Sequence, residues 1–378
     1  MASGADSSSP PRGASPGRRA LRRFRRNRSA VVAALVLLGL WVLAGLAGFF
    51  APYHYRTHRD RTPYHPPNLR IVDEDGAVHL QPFVHPSVPT RDEFGGLRYD
   101  PDPNRRFPVR FLVRGDRYLL FGSIPCDLHL FGLGSPRPDA PAVHLLGSDY
   151  RGRDVFSRLI YGAGVSLSIG LLGVLVSFAV GILVGGISGY FGGAIDAALQ
   201  RVCETMMILP GFYVVLAVRA AMPSTADWSS SKVYLVVVLC VALLGWAAIA
   251  RTIRGQALSL REREFVLAAR AIGRGPFSTL LRHVLPHTLP FAIVAASVAI
   301  PGYILMESAL SMVGLGIQEP EPSWGNMLQD AMNVGHLQLH PWILAPGLAL
   351  SVAVTAFQYL GEGLRDAIDP QGPEGGRG

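Results

Sequence analysis

"EFVLAARAIGRGPFSTLLRHVLPHTLP", residues 264–290, lies between two strongly apolar runs yet is itself amphipathic, and its reading decides the fold. Phe265, Ala268, Ala269 and Ile272 recur at i, i+3, i+4 and i+7, the spacing of one helix face, while Arg261, Glu262, Arg263 and Arg270 fall largely elsewhere. Gly273, Gly275 and Pro276 break the pattern, and Phe277, Leu280, Leu281, Val284 and Leu285 restart it before Pro286. The stretch is expected to be a helix, a tight turn and a second helix. It is too short and too charged to cross a bilayer. An interfacial helix lying on the headgroups is one reading. The small Ala268-Ala269 pair favours another, a helix seated in a groove of a cytosolic partner.

The surroundings are membrane-like. The 378 residues are 49% hydrophobic and 16% charged, with a mean hydropathy of +0.28, against roughly 25% charged in soluble domains. Apolar blocks of roughly 20 residues, enough to span the hydrocarbon core, fall near Ala30–Ala51, Val165–Tyr190, Leu199–Ala221, Val233–Ala250, Leu289–Met312 and Trp342–Leu360. About six membrane helices are expected, in an all-α polytopic protein. The formal charge of +8 is carried by arginine, with Lys232 the single lysine. Its densest cluster, Arg18, Arg19, Arg22, Arg23, Arg25, Arg26 and Arg28, precedes the first span and sets that end in the cytoplasm by the positive-inside rule. Six crossings return the C-terminus there, and the arginine-rich loop 251–290 falls on the same side. The charge reads as an orientation signal, so no nucleic-acid partner is expected. The first apolar run exceeds the 7–15 residues of a signal-peptide core, so it reads as an uncleaved anchor.

These boundaries divide the chain into a basic cytoplasmic tail (1–29), a first span (30–51), an extracytoplasmic insertion (52–146), a membrane domain (147–370) containing the loop 251–290, and a short cytoplasmic tail (371–378). The insertion is polar and proline-rich and longer than a simple loop. In "RIVDEDGAVHL" Asp75-Gly76 separates two apolar pairs, and in "VRFLVRGDRYLLFG" Gly115-Asp116 separates two runs rich in Val, Leu, Tyr and Phe; both read as β-hairpins of a small β-rich module projecting from the membrane. It would dock a binding protein, cover a channel mouth, or pack on a partner subunit. Gly164, Gly170, Gly173, Gly181, Gly185, Gly186 and Gly189 stud the second span, where small residues let helices approach closely.

Three stretches together resemble a family. The opening stretch resembles the cytoplasmic EAA loop of permease subunits of bacterial ABC importers, with Ala268, Ala269 and Gly273 followed by His283, Leu285 and Pro286; the glutamate usual before the alanines is Leu267 here, and Glu264 is the nearest acid upstream. "LLGSDYRGRDVFSRLIYGAGVSLSIG", residues 145–170, resembles the signature before the second span of dipeptide and oligopeptide permeases of the DppC/OppC type, through Gly147, Asp149, Gly152, Arg153, Asp154, Ser157 and Arg158. "ESALSMVGLGIQEPEPSWGNML", residues 307–328, resembles the end of their fifth span. Most of 53–144 lies outside the resemblance.

The resemblance implies a type I ABC importer permease in the bacterial inner membrane, half of a channel for di- or oligopeptides. Its implied partners are a second homologous permease, one or two cytosolic ABC ATPases holding ATP and Mg²⁺, an extracytoplasmic substrate-binding protein and membrane lipid. It also implies that 258–290 couples to an ATPase. Nickel or another small solute is the alternative cargo, and a stand-alone secondary transporter the alternative mechanism.

Other chemistry is sparse. The chain has no phosphate-binding loop and no serine-hydrolase or zinc-protease motif, so ATP hydrolysis is expected in partners, with no catalytic residue and no cofactor here. His54, His58, His65, His79 and His85 are irregularly spaced among prolines and read as solvated or hairpin-packed residues; no metal site is expected. Cys126, Cys203 and Cys240 form no disulfide framework. Glu204 and Glu307 fall in or at the ends of spans, where an acid is costly; functional and structural roles stand equally for both.

Overall fold

A computed structural model describes residues 16–57, 62–73, 76–91, 97–134, 140–221 and 230–368. The tail residues 1–15 and 369–378, the hairpin tip at Glu74-Asp75, and His58 lie outside them. The arginine cluster sits on a helix, α1 (Pro16–Arg26), except for Arg28. Asn27 caps the next helix, α2 (Arg28–Gly45), by accepting from the Ala30 N–H, and a single turn, α3 (Ala47–Phe50), follows.

The insertion folds as three small antiparallel sheets. β1 (Arg70–Val72), β2 (Val78–Val84) and β5 (Phe107–Pro108) form one. β3 (Ser87–Arg91) pairs β4 (Leu97–Pro101), and β6 (Arg110–Leu120) pairs β7 (Ile124–Gly132). The first expected hairpin is therefore present as β1–β2. The second is not where its Gly-Asp pair points: β6 runs straight through Gly115-Asp116 and turns at Phe121–Ser123. Gly115 instead marks a bulge, with the ladder shifting register between Arg114 and Tyr118. A Cβ there would lie 2.7 Å from the His129 ring, so this glycine serves a close approach. This hairpin rests on the end of the first span, its Tyr118 ring covering Gly48 of α3 and its Phe121 lying beside Gly45 of α2.

The membrane part begins with α4 (Val155–Phe191), starting ten residues before the expected span because Asp154 caps it. The helices α5 (Gly193–Ile208) and α6 (Gly211–Ala221) follow. They divide the expected third span at Leu209-Pro210, where Leu209 is extended (φ −66°, ψ 123°), as the residue before a proline tends to be. Next come α7 (Ser230–Leu260), α8 (Glu264–Ala271), α9 (Pro276–Thr279) and α10 (Leu285–Met312). The chain continues through α11 (Trp324–Met327), α12 (Val334–Leu339) and α13 (Ala345–Ile368). Five helical segments among the described residues are long and apolar enough to span a bilayer: Arg28–Gly45, Val155–Phe191, Tyr234–Leu260, Pro276–Met312 and Pro341–Ile368. The remaining expected span falls on α5 and α6, neither of which is by itself long and apolar enough to cross.

Packing is tightest between α4 and α7. Gly181, Gly185 and Gly189, four residues apart, face α7, where a Cβ would meet Ile249, the Ala250 carbonyl and the Arg254 carbonyl respectively. This places two backbones in contact, which is how helices associate in lipid without a hydrophobic drive between them. A second core joins α2, α4, α10 and α13 through Leu37, Leu167, Ile300, Ile304, Ala353 and Phe357.

Candidate functional site

The loop after α7 folds as the periodicity predicts. Ile272 ends α8, Gly273 turns the chain at φ 83°, and Gly275 and Pro276 open α9, proline's missing N–H being harmless at a first helical position. The second helix does not stop at Pro286. It passes through a π turn at Leu280–Val284 into α10. Pro286 cannot donate an intrahelical bond and crowds the preceding turn, and a π turn is one way to relieve that.

The two faces of this elbow differ. Val266 of α8 packs with Leu280, Val284 and Leu285 against Tyr190 and Ala257, at the ends of α4 and α7, and Ala269 is buried as well. Arg270 lies over the Tyr190 ring at 4.8 Å and donates from Nε to its hydroxyl at 3.1 Å. Phe277 meets Phe191 at 5.1 Å. The opposite face, carrying Phe265, Leu267, Ala268, Ile272 and Leu281, is exposed. The alanine pair expected to share one face is thus divided, Ala269 inward and Ala268 outward, because 100° separates neighbours on a helix. Glu264 is exposed in the first turn of α8, where a carboxylate suits the helix dipole. Gly273 and Pro286 are exposed, Leu285 is buried and His283 half-buried, its carbonyl accepting from His287 Nδ1 at 2.6 Å.

The signature before the second span builds a separate junction at the far end of α4. Gly147 (φ 78°) and Gly152 (φ 73°) adopt left-handed conformations, and a Cβ on Gly147 would run into the Trp342 indole at 2.7 Å. Asp154 accepts from the Ser157 N–H and hydroxyl, both at 2.7 Å, which starts α4. Asp149 receives the Arg153 backbone N–H at 2.9 Å and its Nε at 2.7 Å. Arg153 and Arg158 then converge on Glu319, in the connection after α10. Burial by itself would raise the Glu319 carboxyl, but the hydrogen bond from Arg153 and the charges of Arg158 and Arg153 hold it below the ordinary value. Reasoning from sequence singled out the arginines but not Glu319, which lies in the third quoted stretch without a pattern of its own. A cavity of about 360 Å³ opens beside the junction, lined by Tyr64, Arg153, Glu319, Asp330 and His336 among others.

The two intramembrane acids part company. Glu307 is fully buried in α10 and accepts from Ser311 Oγ at 2.6 Å, with Ser166 and Ser308 at 3.4 Å. Glu204 is half-exposed on α5 and pairs with its own neighbour Arg201 at 3.0 Å. In the insertion His65, His85, His129 and His144 are buried, and each bonds a carbonyl, hydroxyl or carboxylate. Among the described residues no group of three His, Cys, Asp or Glu is arranged to hold a metal.

A bundle of long apolar helices with an elbow held on the ends of two of them is the architecture of a multi-pass membrane protein. The family model of the binding-protein-dependent transport system inner membrane component matches residues 181–371, and that of the N-terminal TM domain of oligopeptide transport permease C matches 15–67. The chain belongs to the binding-protein-dependent transport system inner membrane component family. It is 40% identical over 249 residues to a putative peptide permease protein of Brucella ovis, covering 65% of this chain and 78% of that one. It is 37% identical over 232 residues to the dipeptide transport system permease protein DppC of Bacillus subtilis, covering 61% and 69%. It is 36% identical over 239 residues to the oligopeptide transport system permease protein OppC of Haemophilus influenzae, covering 63% and 73%.

Proposed function

We propose that this chain is one half of the channel of an ATP-driven importer of peptides. The relatives' names favour peptide cargo over nickel or another small solute, and family membership supports a pumped over a stand-alone mechanism. A second homologous permease would complete the path, an extracytoplasmic binding protein would deliver the cargo, and one or two cytosolic ATPases would hold ATP and Mg²⁺. In this reading both termini and the elbow are cytoplasmic, residues 147–370 form the permease domain, and 52–146 lie outside.

The elbow's two-sidedness carries the assignment. Its inner face, with Val266 and Leu285, is packed on the ends of α4 and α7, while Ala268 and Ile272 stand exposed on the other and Phe265 stacks on His287 at 4.5 Å. A groove on an ATPase would take that free face, so that closure of the ATPases moves the spans as largely rigid bodies. Gly273 would set the elbow angle, and Glu264, His283 and Pro286 would shape its ends. The residues around Gly147–Arg158 and Glu319 would be a structural junction on the outer side, and Glu307 an interhelical contact.

The test is Ala268→Arg and Gly273→Val in the complex reconstituted in vesicles. Ala268→Arg adds bulk and charge to the exposed face, and Gly273→Val forces a β-branched residue into a left-handed turn. Both variants should insert normally yet lose substrate-stimulated ATP hydrolysis, and Ala268→Arg should co-purify with less ATPase. Normal stimulation and transport in both would overturn the coupling role.

A further inference from the structure

We propose that the tip of the β6–β7 hairpin, residues 119–124, is a lipid anchor, inserted where acyl chains meet headgroups in the leaflet opposite the arginine cluster. Its composition is unlike a water-facing turn. Leu119, Phe121 and Ile124 are 61%, 69% and 57% exposed, around a turn closed by hydrogen bonds from Gly122 and Ser123 to the carbonyls of Leu119 and Leu120. Folding has left these side chains in the open, although burying each would be worth roughly 1.5–3 kcal/mol.

Depth supplies the second argument. The Phe121 ring edge lies 3.8 Å from the position of a Cβ on Gly45, the last residue of α2. That helix starts at Arg28, which belongs with the headgroups. Seventeen steps of about 1.5 Å put Gly45 roughly 25 Å further on, short of the roughly 30 Å thickness of the hydrocarbon layer. Phe121 therefore sits level with the last apolar stratum. Two neighbours fit the same level. Phe49 and Phe50 form an edge-to-face pair at 5.4 Å just beyond Gly45, as in an aromatic belt. Arg117, two residues before the tip on β6, is exposed beside it, where a long cationic side chain can reach lipid phosphate.

Continuity identifies the occupant. The exposed face of α2, with Val32, Leu35, Leu38 and Val42, runs directly into an open groove of about 650 Å³ between α2, α3 and the hairpin, lined by Ala44, Gly45, Leu119 and Phe121 among others. The exposed apolar surface of α2 thus continues through Ala44 and Gly45 onto Leu119 and Phe121 of the hairpin, in a groove that Arg117 and His54 also line.

The experiment places a nitroxide at Phe121→Cys, and separately at Ile124→Cys, in the full chain with Cys126, Cys203 and Cys240 replaced by alanine. The chain is purified with its accompanying subunits and reconstituted in vesicles of phosphatidylethanolamine and phosphatidylglycerol. Arg98→Cys, at a strand position whose side chain is 74% exposed, is the aqueous reference. Collision with dissolved oxygen should exceed collision with a water-soluble nickel chelate at 121 and 124, the inverse of the ratio at 98. Chelate-dominated collision at both tip sites would make the tip a water-exposed turn and overturn the proposal. Low collision with both agents would put it against another subunit and overturn it equally.

Discussion

Arg254 of α7 holds Asp196 of α5 through both carboxylate oxygens, Nε to Oδ1 and Nη2 to Oδ2 at 2.5 Å each. Ser188 of α4 donates to the same Oδ1 at 2.5 Å, so three helices meet at one carboxylate. We expect Asp196→Ala to cost about 1.5–3 kcal/mol, the range for hydrogen bonds to charged groups, read as a lower melting temperature in detergent. An unchanged melting temperature would dismiss the clasp as ornament.

Glu319 should prove more costly to remove. It neutralises Arg158, whose side chain is only 2% exposed, and its loss leaves that cation with Asp149 at 3.7 Å as the remaining carboxylate in range. Breaking a buried pair typically costs about 3–5 kcal/mol. Glu319→Ala should lower the yield of folded protein sharply, and adding Arg153→Met should recover part of it by removing one of two facing cations. Because the Glu319 carboxyl is depressed, wild-type stability from this junction should be flat from neutrality down to pH 5, measured by thermal melting across pH.

His65 should make the insertion acid-sensitive. Its Nδ1 lies 2.6 Å from the Pro66 carbonyl and so must donate, leaving Nε2 to accept from Ser87 Oγ at 2.5 Å. Burial, with the neighbouring His144, pushes its pKa down to about 4. A histidine depressed from an unfolded value of about 6.5 contributes its full stability above that pH and loses it progressively as pH falls toward 4. At about 1.36 kcal/mol per pKa unit the loss is roughly 3 kcal/mol at the acid end. Limited proteolysis of the insertion should accelerate between these pH values, and His65→Gln should flatten the dependence.

Two glycines of α4 should behave oppositely. Gly185 leaves no room for a methyl against the Ala250 backbone, whereas a Cβ on Gly164 would touch only the Ala44 methyl at 3.8 Å. Gly164→Ala should be neutral or stabilising by up to about 1 kcal/mol through helix propensity. Gly185→Ala should separate α4 from α7 and reduce folded yield. Equal melting temperatures for the two variants would refute the close approach.

The sequence made the helical spans and the elbow legible because both are repeated patterns: twenty-residue apolar blocks, and an i, i+3, i+4 stripe interrupted at Gly273. It was weakest where one residue had two readings. Gly115-Asp116 carries a hairpin signal, yet the same dipeptide serves as a bulge because the His129 ring fills the space a Cβ would need. Pro210 divides an expected span at a position that its run of apolar residues from Met206 to Val218 does not single out. The Glu319 junction was half visible: Arg153 and Arg158 stand in a recognisable signature, but Glu319 is 166 residues from Arg153, and no local spacing announces such a pairing. Glu204 and Glu307 looked equivalent because burial depends on which way a helix faces, and a lone acid carries no periodicity.

One helix carries both ends of this arrangement. α4 is capped by Asp154 in the Glu319 junction and finishes at Tyr190 and Phe191, where Arg270 and Phe277 rest. At about 1.5 Å per residue its 37 residues reach roughly 55 Å, nearly twice the hydrocarbon thickness. With glycines seating its lower half on α7, it is built like a connecting rod, whose two ends keep their separation while the machine around them turns. Paired spin labels at Leu159 and Ile187 should report the same distance whether or not nucleotide is bound, however far each moves relative to the partner subunits.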